Sequence, residues 1–193
     1  NKRAGNRISI AHETLRSAQE VSIANFLFLN NIEYRYEKPY QYNIVRSHKP
    51  YTPDFTITQG DKVAYLEHFG ITEDGRNSRY TAEQLKKYKA AINDKVILHR
   101  RHNTDLIYTF SSYNDGRPML EHLKEQLIGH GFTLNQRSSQ EVFEKIVNTE
   151  ENKYILKLVK LICTFIQNFK TNGFTIDKFY EWETQTTNER TRL

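Results

Sequence analysis

The sequence contains little sulfur and no long apolar run. Among 193 residues it has one cysteine, Cys163, and one methionine, Met119. A single cysteine excludes an internal disulfide and indicates a reducing compartment, so we expect a cytoplasmic protein in which Cys163 is a small buried residue on a helix. No apolar stretch is long enough to span a bilayer, and the first residues lack the apolar core of a signal peptide. We therefore expect no membrane partner.

Motifs of several common enzyme classes are also absent. There is no G-x-x-x-x-G-K-[ST] loop, so the chain does not bind ATP in the P-loop manner. There is no G-x-S-x-G nucleophile elbow, and one cysteine cannot form a zinc cluster of the usual cysteine type. The remaining candidates for chemistry are carboxylates, histidines and basic side chains.

Composition fits one domain, or one domain with a small appendage. The hydrophobic fraction is only 37%, but 11 Phe and 12 Tyr can supply a core. A formal charge of +5 permits a polyanionic partner without requiring one. The chain opens on Asn1 rather than on methionine, and we expect it to be a fragment of a larger protein.

The most informative stretch is residues 51–70, YTPDFTITQGDKVAYLEHFG, which predicts a β-hairpin turning at Gly60. Residues that pair across this turn have numbers summing to about 120, which puts Asp54 opposite Leu66 and one step from Glu67. Two carboxylates at one end of a hairpin can bind a hard divalent cation such as Mg²⁺. The alternative is that both acids are ordinary polar residues at strand ends.

Periodicity and turn residues predict a small α/β layer with the order α-β-β-β-α-β. The expected elements are a helix at 17–31, strands at 32–42, 55–58 and 63–69, a helix at 81–101 and a strand at 105–111. Composition then shifts to helices, at 118–129, 138–147, 152–172 and 175–183. The expected organisation is a flexible or linking segment at 1–16, an α/β core at 17–113 and a helical subdomain at 114–193.

This element order, with Pro53-Asp54 entering the second strand and Glu67 on the third, resembles the PD-(D/E)XK nuclease superfamily. The resemblance implies a restriction-endonuclease-like core, Mg²⁺ (or Mn²⁺) held by Asp54 and Glu67, and a further glutamate on the first helix, the place of Glu20. A lysine two positions after the second acid is expected, but that position holds Phe69. Alternation sends the intervening His68 to the other face of the strand, so His68 cannot replace the lysine.

A second resemblance covers most of the chain. The segments IANFLFLNNIEYRYEKPY, PDFTI, YLEHFGI, LIYTFSSYNDG and LKLVKLICTFIQNFKTNGF look like the nuclease-type insertion of UvrD-like superfamily 1 DNA helicases related to helicase IV. The resemblance implies an accessory region that cleaves DNA next to the motor domains of a parent helicase, with ATP bound only by that motor. It also implies helices that return to the motor. The helix at 81–101 offers Lys86, Lys87, Lys89 and Lys95 as the displaced lysine, and the resemblance makes Lys95 the first choice, with Lys86 second.

Basic residues supply candidate contacts to DNA phosphates. The candidates are Arg46, Lys49, Lys86, Lys87, Arg100 and Arg101. Alternatives stay open for most predicted roles. Glu20 can simply cap the first helix together with Ser17, and Lys95 can be a solvated helix lysine. The whole region can also be a DNA-binding or protein-interaction insertion without catalysis, which Phe69 favours, or a structural spacer.

Overall fold

The computed structural model describes residues 7–44, 50–147 and 153–185. The chain forms two compact units, Asn1–Lys145 and Ile146–Leu193. In the first unit the elements follow the predicted α-β-β-β-α-β order and continue with two further helices, the second of which begins in this unit and ends two residues beyond it. They are α1 (Ala18–Leu29), β1 (Glu33–Tyr36), β2 (Phe55–Gln59), β3 (Lys62–Thr72), α2 (Ala82–Arg101), β4 (Asp105–Ser112), α3 (Met119–Gly129) and α4 (Ser139–Val147).

The first strand is shorter than predicted. Residues 32–42 were expected to form one strand, but β1 ends at Tyr36. The reason is the next residue, Glu37, whose φ of 47° lies in the left-handed region and turns the chain out of the sheet. Pro39 then follows, and it has no amide to donate to a strand ladder.

The four strands form one mixed sheet in the order β1-β2-β3-β4. The β1–β2 and β2–β3 pairs are antiparallel, and β3–β4 is parallel. The predicted reversal at Gly60 is present, with a φ of 58° that favours glycine. The architecture is therefore α/β, as the sequence predicts.

One face of the sheet carries the main apolar core. Phe55, Ile57, Leu66 and Ile107 point from the strands to α1 and α3, whose buried residues include Leu27. Fully burying an aliphatic or phenyl side chain contributes roughly 1.5–3 kcal/mol, so each of these residues stabilises the packing of the helices on the sheet. The opposite face has a smaller cluster, Tyr40, Tyr51 and Leu98, with Tyr65 packed against it. The α2 helix, which contributes Leu98, covers that face.

The division between the units lies further along the chain than the expected boundary near residue 114. The helix α3 packs on the sheet because Leu123 and Leu127 are buried in the main core. The N-terminal segment was expected to be flexible, but its described part, residues 7–16, is packed. There Leu15 is buried in the core, and Ile8 bridges Thr14.

In the second unit the described elements are α5 (Lys153–Thr171) and α6 (Ile176–Gln185). Gly173, with a φ of 66°, ends α5 as a left-handed residue. Cys163 was expected to be buried, but it is exposed on α5. Its neighbours Leu161 and Ile162 are exposed as well, so the apolar residues of α5 do not enclose it. None of the helices in the described ranges has the length and apolar character needed to cross a membrane.

Candidate functional site

Two carboxylates meet on the face of the sheet that α2 covers. The register pairs Phe55 with Leu66, so one further step places Asp54 opposite Glu67. The predicted register, which put Asp54 opposite Leu66, was therefore wrong by one residue. The correction brings the two acids closer than expected. Both are buried, with Asp54 6% exposed and Glu67 1% exposed.

The carboxylate of Asp54 is held from two sides. Oδ2 accepts a hydrogen bond from the backbone N–H of His68 at 2.7 Å, across the hairpin. Oδ1 lies 2.8 Å from Nη2 of Arg16. Burial, and then the negative charge of Glu67, raises the pKa of Asp54 to about 7. The two acids are thus close enough to disfavour ionisation of both at once.

The carboxylate of Glu67 is also held from two sides. Lys95 donates to Oε2 at 2.6 Å, and the Tyr51 hydroxyl donates to Oε1 at 2.7 Å. Phe69, where the superfamily has its lysine, is buried, and its ring centroid lies 5.9 Å from Nζ of Lys95. The structure therefore brings the predicted Lys95 to Glu67 from α2, and Phe69 packs beside it.

Glu20 has the contacts of a helix-capping residue. Its backbone N–H donates to Oγ of Ser17, and its Oε1 accepts from the same hydroxyl at 2.9 Å. Its Oε2 accepts from the Tyr36 hydroxyl at 2.6 Å and from the backbone N–H of Arg16 at 3.2 Å. Across the described ranges, no group of three or more His, Cys, Asp or Glu side chains is arranged to hold a metal ion. The predicted role of Glu20 as a third ligand has no support from these contacts.

His68 points to the face that carries the main core, as strand alternation predicts. Its Nδ1 lies 2.9 Å from Oγ1 of Thr109, and its Nε2 lies 3.0 Å from Oε1 of Gln19 on α1. Burial lowers the pKa of His68. The side chain links α1 to the sheet, and only its backbone N–H reaches Asp54.

Arg16 was not predicted as a site residue. Its Nη2 bridges Asp54 and Oε1 of Glu37, the latter at 3.0 Å, and its Nε donates to the Tyr36 hydroxyl at 3.2 Å. The side chain is 61% exposed, so it lies at the solvent side of the carboxylates. No sequence signal marks this arginine, because it precedes the first helix in a segment without periodicity.

A chain of buried and half-buried polar groups continues behind Glu67. The Tyr51 oxygen lies 3.1 Å from Nε2 of His99, whose Nδ1 lies 2.9 Å from Oγ1 of Thr104. That hydroxyl lies 2.6 Å from the Tyr40 hydroxyl. Burial, and then the charge of Lys95, lowers the pKa of His99 to about 4. Sequence reasoning did not select these residues, although His99 follows Lys95 by four positions and so shares its helical face.

The predicted DNA contacts lie apart from the carboxylates. Lys86, Lys87, Arg100 and Arg101 are exposed on α2, and Lys87 pairs with Glu83 at 2.7 Å. At about 100° per residue, Lys86 is about 180° around the helix from Lys95, and Arg100 about 140°. Lys86 and Arg100 therefore face away from Glu67. Arg46 and Lys49 lie outside the described residues.

Comparisons with known proteins found no matching family model, curated protein or solved structure. Any functional conclusion therefore rests on the site geometry and the motifs of this chain.

Proposed function

We propose that this chain is an accessory region of a UvrD-like DNA helicase that hydrolyses DNA phosphodiester bonds with Mg²⁺ held by Asp54 and Glu67. The observation that carries the proposal is the 2.6 Å contact between Nζ of Lys95 and Oε2 of Glu67. An ammonium group beside the second acid is what the PD-(D/E)XK pattern requires, and here α2 supplies it in place of Phe69. ATP would be bound by the motor domains of the parent helicase, not by this chain.

The two acids suit a hard divalent cation. Carboxylate oxygens are the ligands that Mg²⁺ and Mn²⁺ prefer. Among the described residues, each of the four oxygens accepts one hydrogen bond, which leaves a second lone pair of each without a partner there. Burial, and then the proximity of Glu67, raises the pKa of Asp54, and the proximity of the two acids also favours a bound positive charge. A bound Mg²⁺ would lower the pKa of a water molecule and stabilise charge on the phosphate.

Lys95 would contribute a fixed positive charge. Its ammonium has three N–H donors, and the bond to Glu67 uses one of them. The side chain is 27% exposed, so it is held by the protein yet reachable from solvent. A remaining donor can hold a phosphate oxygen as negative charge builds on it. A donor that is already in place avoids the cost of reorganisation at that step.

A second candidate is a non-catalytic insertion that binds DNA or protein. It is favoured by the pairing of both acids with protein cations, Asp54 with Arg16 and Glu67 with Lys95. Such pairs balance the buried negative charge without a metal. On this alternative the exposed basic residues of α2 would supply the affinity for DNA, and the carboxylates would only hold the hairpin to α2.

A cleavage assay decides between the two. Wild type and Glu67→Ala are incubated with supercoiled plasmid and with a single-stranded oligonucleotide, each with Mg²⁺, with Mn²⁺ or with EDTA. We expect cleavage by wild type that needs the metal and is lost in Glu67→Ala. Asp61→Asn, in the exposed turn between β2 and β3, is the matched control and should cleave as wild type does. Wild-type cleavage no faster than that of Glu67→Ala would favour the non-catalytic alternative.

A further inference from the structure

Both oxygens of Glu67 are connected to α2, one directly and the other through Tyr51. Lys95 of α2 reaches Oε2 directly, and His99, one turn later on α2, reaches Oε1 through the Tyr51 hydroxyl. All of these partners except Lys95 are buried. On the Oε1 side, the position of the second acid is therefore set by Tyr51 and His99, which would touch neither the metal nor the substrate.

The chemistry of the acceptors fixes the direction of every hydrogen bond in this chain. An ionised carboxylate only accepts hydrogen bonds, so the hydroxyl proton of Tyr51 is donated to Glu67. The Tyr51 oxygen must then accept from Nε2–H of His99. A neutral imidazole with a proton on Nε2 has none on Nδ1, which therefore accepts from the hydroxyl of Thr104. Thr104 in turn accepts from the hydroxyl of Tyr40.

We propose that Tyr51 and His99 are positioning residues that orient the Glu67 carboxylate through a chain of hydrogen bonds whose donors all point toward Glu67. The chain runs from Tyr40 through Thr104, His99 and Tyr51 to Oε1. The positioning role rests on the proposed function only because it takes Glu67 to be a metal ligand. The direction of the bonds follows from the charge of Glu67 and is testable without any metal.

The first test reads the tautomer of His99. Long-range ¹H–¹⁵N NMR of the imidazole at pH 7.5 should show the proton on Nε2 in the wild type. In Glu67→Gln the amide oxygen must face the ammonium of Lys95, because that ammonium only donates. The amide NH₂ then faces Tyr51 and donates to it, so Tyr51 donates to His99 and the proton moves to Nδ1. A wild-type proton on Nδ1, or an unchanged tautomer in Glu67→Gln, would overturn the proposed chain.

The second test measures Mn²⁺ affinity by isothermal titration calorimetry. Removing a group that orients a metal ligand commonly weakens metal binding by about 10- to 100-fold, and we expect about tenfold for Tyr51→Phe. Tyr42→Phe, a half-exposed tyrosine that stacks on His102, is the matched control and should bind as wild type does. His99→Gln, whose amide can still donate to Tyr51, should keep more affinity than His99→Leu. Thermal melting of each variant confirms that it is folded.

The two tests separate the possible failures. Equal Mn²⁺ affinity in wild type and Tyr51→Phe would overturn the positioning role. Wild type that binds no Mn²⁺ but shows the expected tautomer switch would overturn the metal site of the proposed function and support the chain. Loss of affinity in Tyr51→Phe together with the tautomer switch would support both.

Discussion

Arg16 occupies the solvent side of Asp54, with Nη2 at 2.8 Å from Oδ1. The guanidinium also holds Glu37, and its side chain is largely exposed. A protein cation thus already neutralises the carboxylate that would bind Mg²⁺. Because two positive charges near one carboxylate repel each other, a divalent cation must compete with Arg16 or displace it toward Glu37.

We therefore expect Arg16→Gln to bind Mn²⁺ more tightly than wild type, by about threefold to tenfold, since roughly 1 kcal/mol of repulsion is removed. Isothermal titration calorimetry at low ionic strength measures the difference. Arg35→Gln, an exposed arginine on β1, is the matched control and should leave the affinity unchanged. Thermal melting checks that Arg16→Gln stays folded, because the substitution leaves the buried Asp54 without its cation. Weaker Mn²⁺ binding in Arg16→Gln would contradict the competition.

Lys95→Ala should lower Mg²⁺-dependent cleavage by at least about tenfold, which corresponds to roughly 1.4 kcal/mol of barrier. DNA affinity should stay nearly unchanged, because Lys95 is one charge and its helical face differs from that of the exposed basic residues. Single-turnover cleavage and fluorescence anisotropy measure the two quantities. Lys124→Ala, on the exposed side of α3, is the control for loss of a lysine.

Cleavage that is lost in Glu67→Ala but kept in Lys95→Ala would leave the nuclease proposal standing and remove Lys95 from it. The assay temperature should lie well below the melting point of Lys95→Ala. That substitution leaves the buried Glu67 without its cation, which can cost several kcal/mol of folding free energy.

The sequence predicted the element order because strong local signals mark each element. Ser17 caps α1 and Thr81 caps α2, as residue type and spacing suggest, and Gly60 reverses the hairpin. The end of β1 was misplaced because a left-handed Glu37 has no signal in the residue type. The packing of α3 on the sheet was missed for another reason. The apolar residues Leu123 and Leu127 indicate a buried helix face but do not say what buries it.

The site was predicted only where strand geometry decides it. Hairpin pairing brought Asp54 and Glu67 together to within one residue, and alternation correctly sent His68 to the other face. Arg16 and Tyr51 were not predicted, because their contacts depend on where non-periodic segments cross the sheet. Lys95 was selected from a family resemblance, since several lysines on the same helix have equal local signals. Burial of α2 against the sheet distinguishes Lys95 from the exposed Lys86.

DNA binding should weaken with salt through the exposed basic residues of α2. Each phosphate contact of a basic side chain contributes about −0.9 to the slope of log affinity against log salt for duplex DNA. The double variant Lys86→Gln, Lys87→Gln should therefore make that slope less steep by up to about 1.8 and weaken binding at low salt. Anisotropy titrations at several salt concentrations measure this, with Lys124→Gln as control. A flat salt response, or no binding at low salt, would favour the protein-interaction or spacer alternatives.

The raised pKa of Asp54 predicts a stability change with a definite sign. Its pKa rises from 3.8 to about 7 in the folded chain, so between these values the folded state binds more protons than the unfolded state. The Asp54 carboxyl therefore adds to the free energy of unfolding at low pH, and this contribution is lost as pH rises through about 7. Asp54→Asn keeps an acceptor for the backbone N–H of His68 but cannot ionise. It should be more stable than wild type at pH 8, by about 1–3 kcal/mol, and show a smaller gain at pH 5.

Urea unfolding at pH 5 and pH 8 gives the difference between Asp54→Asn and wild type at each pH. The lowered pKa of His99 makes the free energy of unfolding change with pH in the opposite direction over the same range. His99 is present in both proteins, so its contribution cancels in the difference between them. Asp61→Asn, in the exposed turn, should show no such pH-dependent gain. If Asp54→Asn were less stable than wild type at pH 8, the ion pair with Arg16 would outweigh the cost of burying the charge. The carboxylate would then be a stabilising group of the fold rather than one held at a cost to stability.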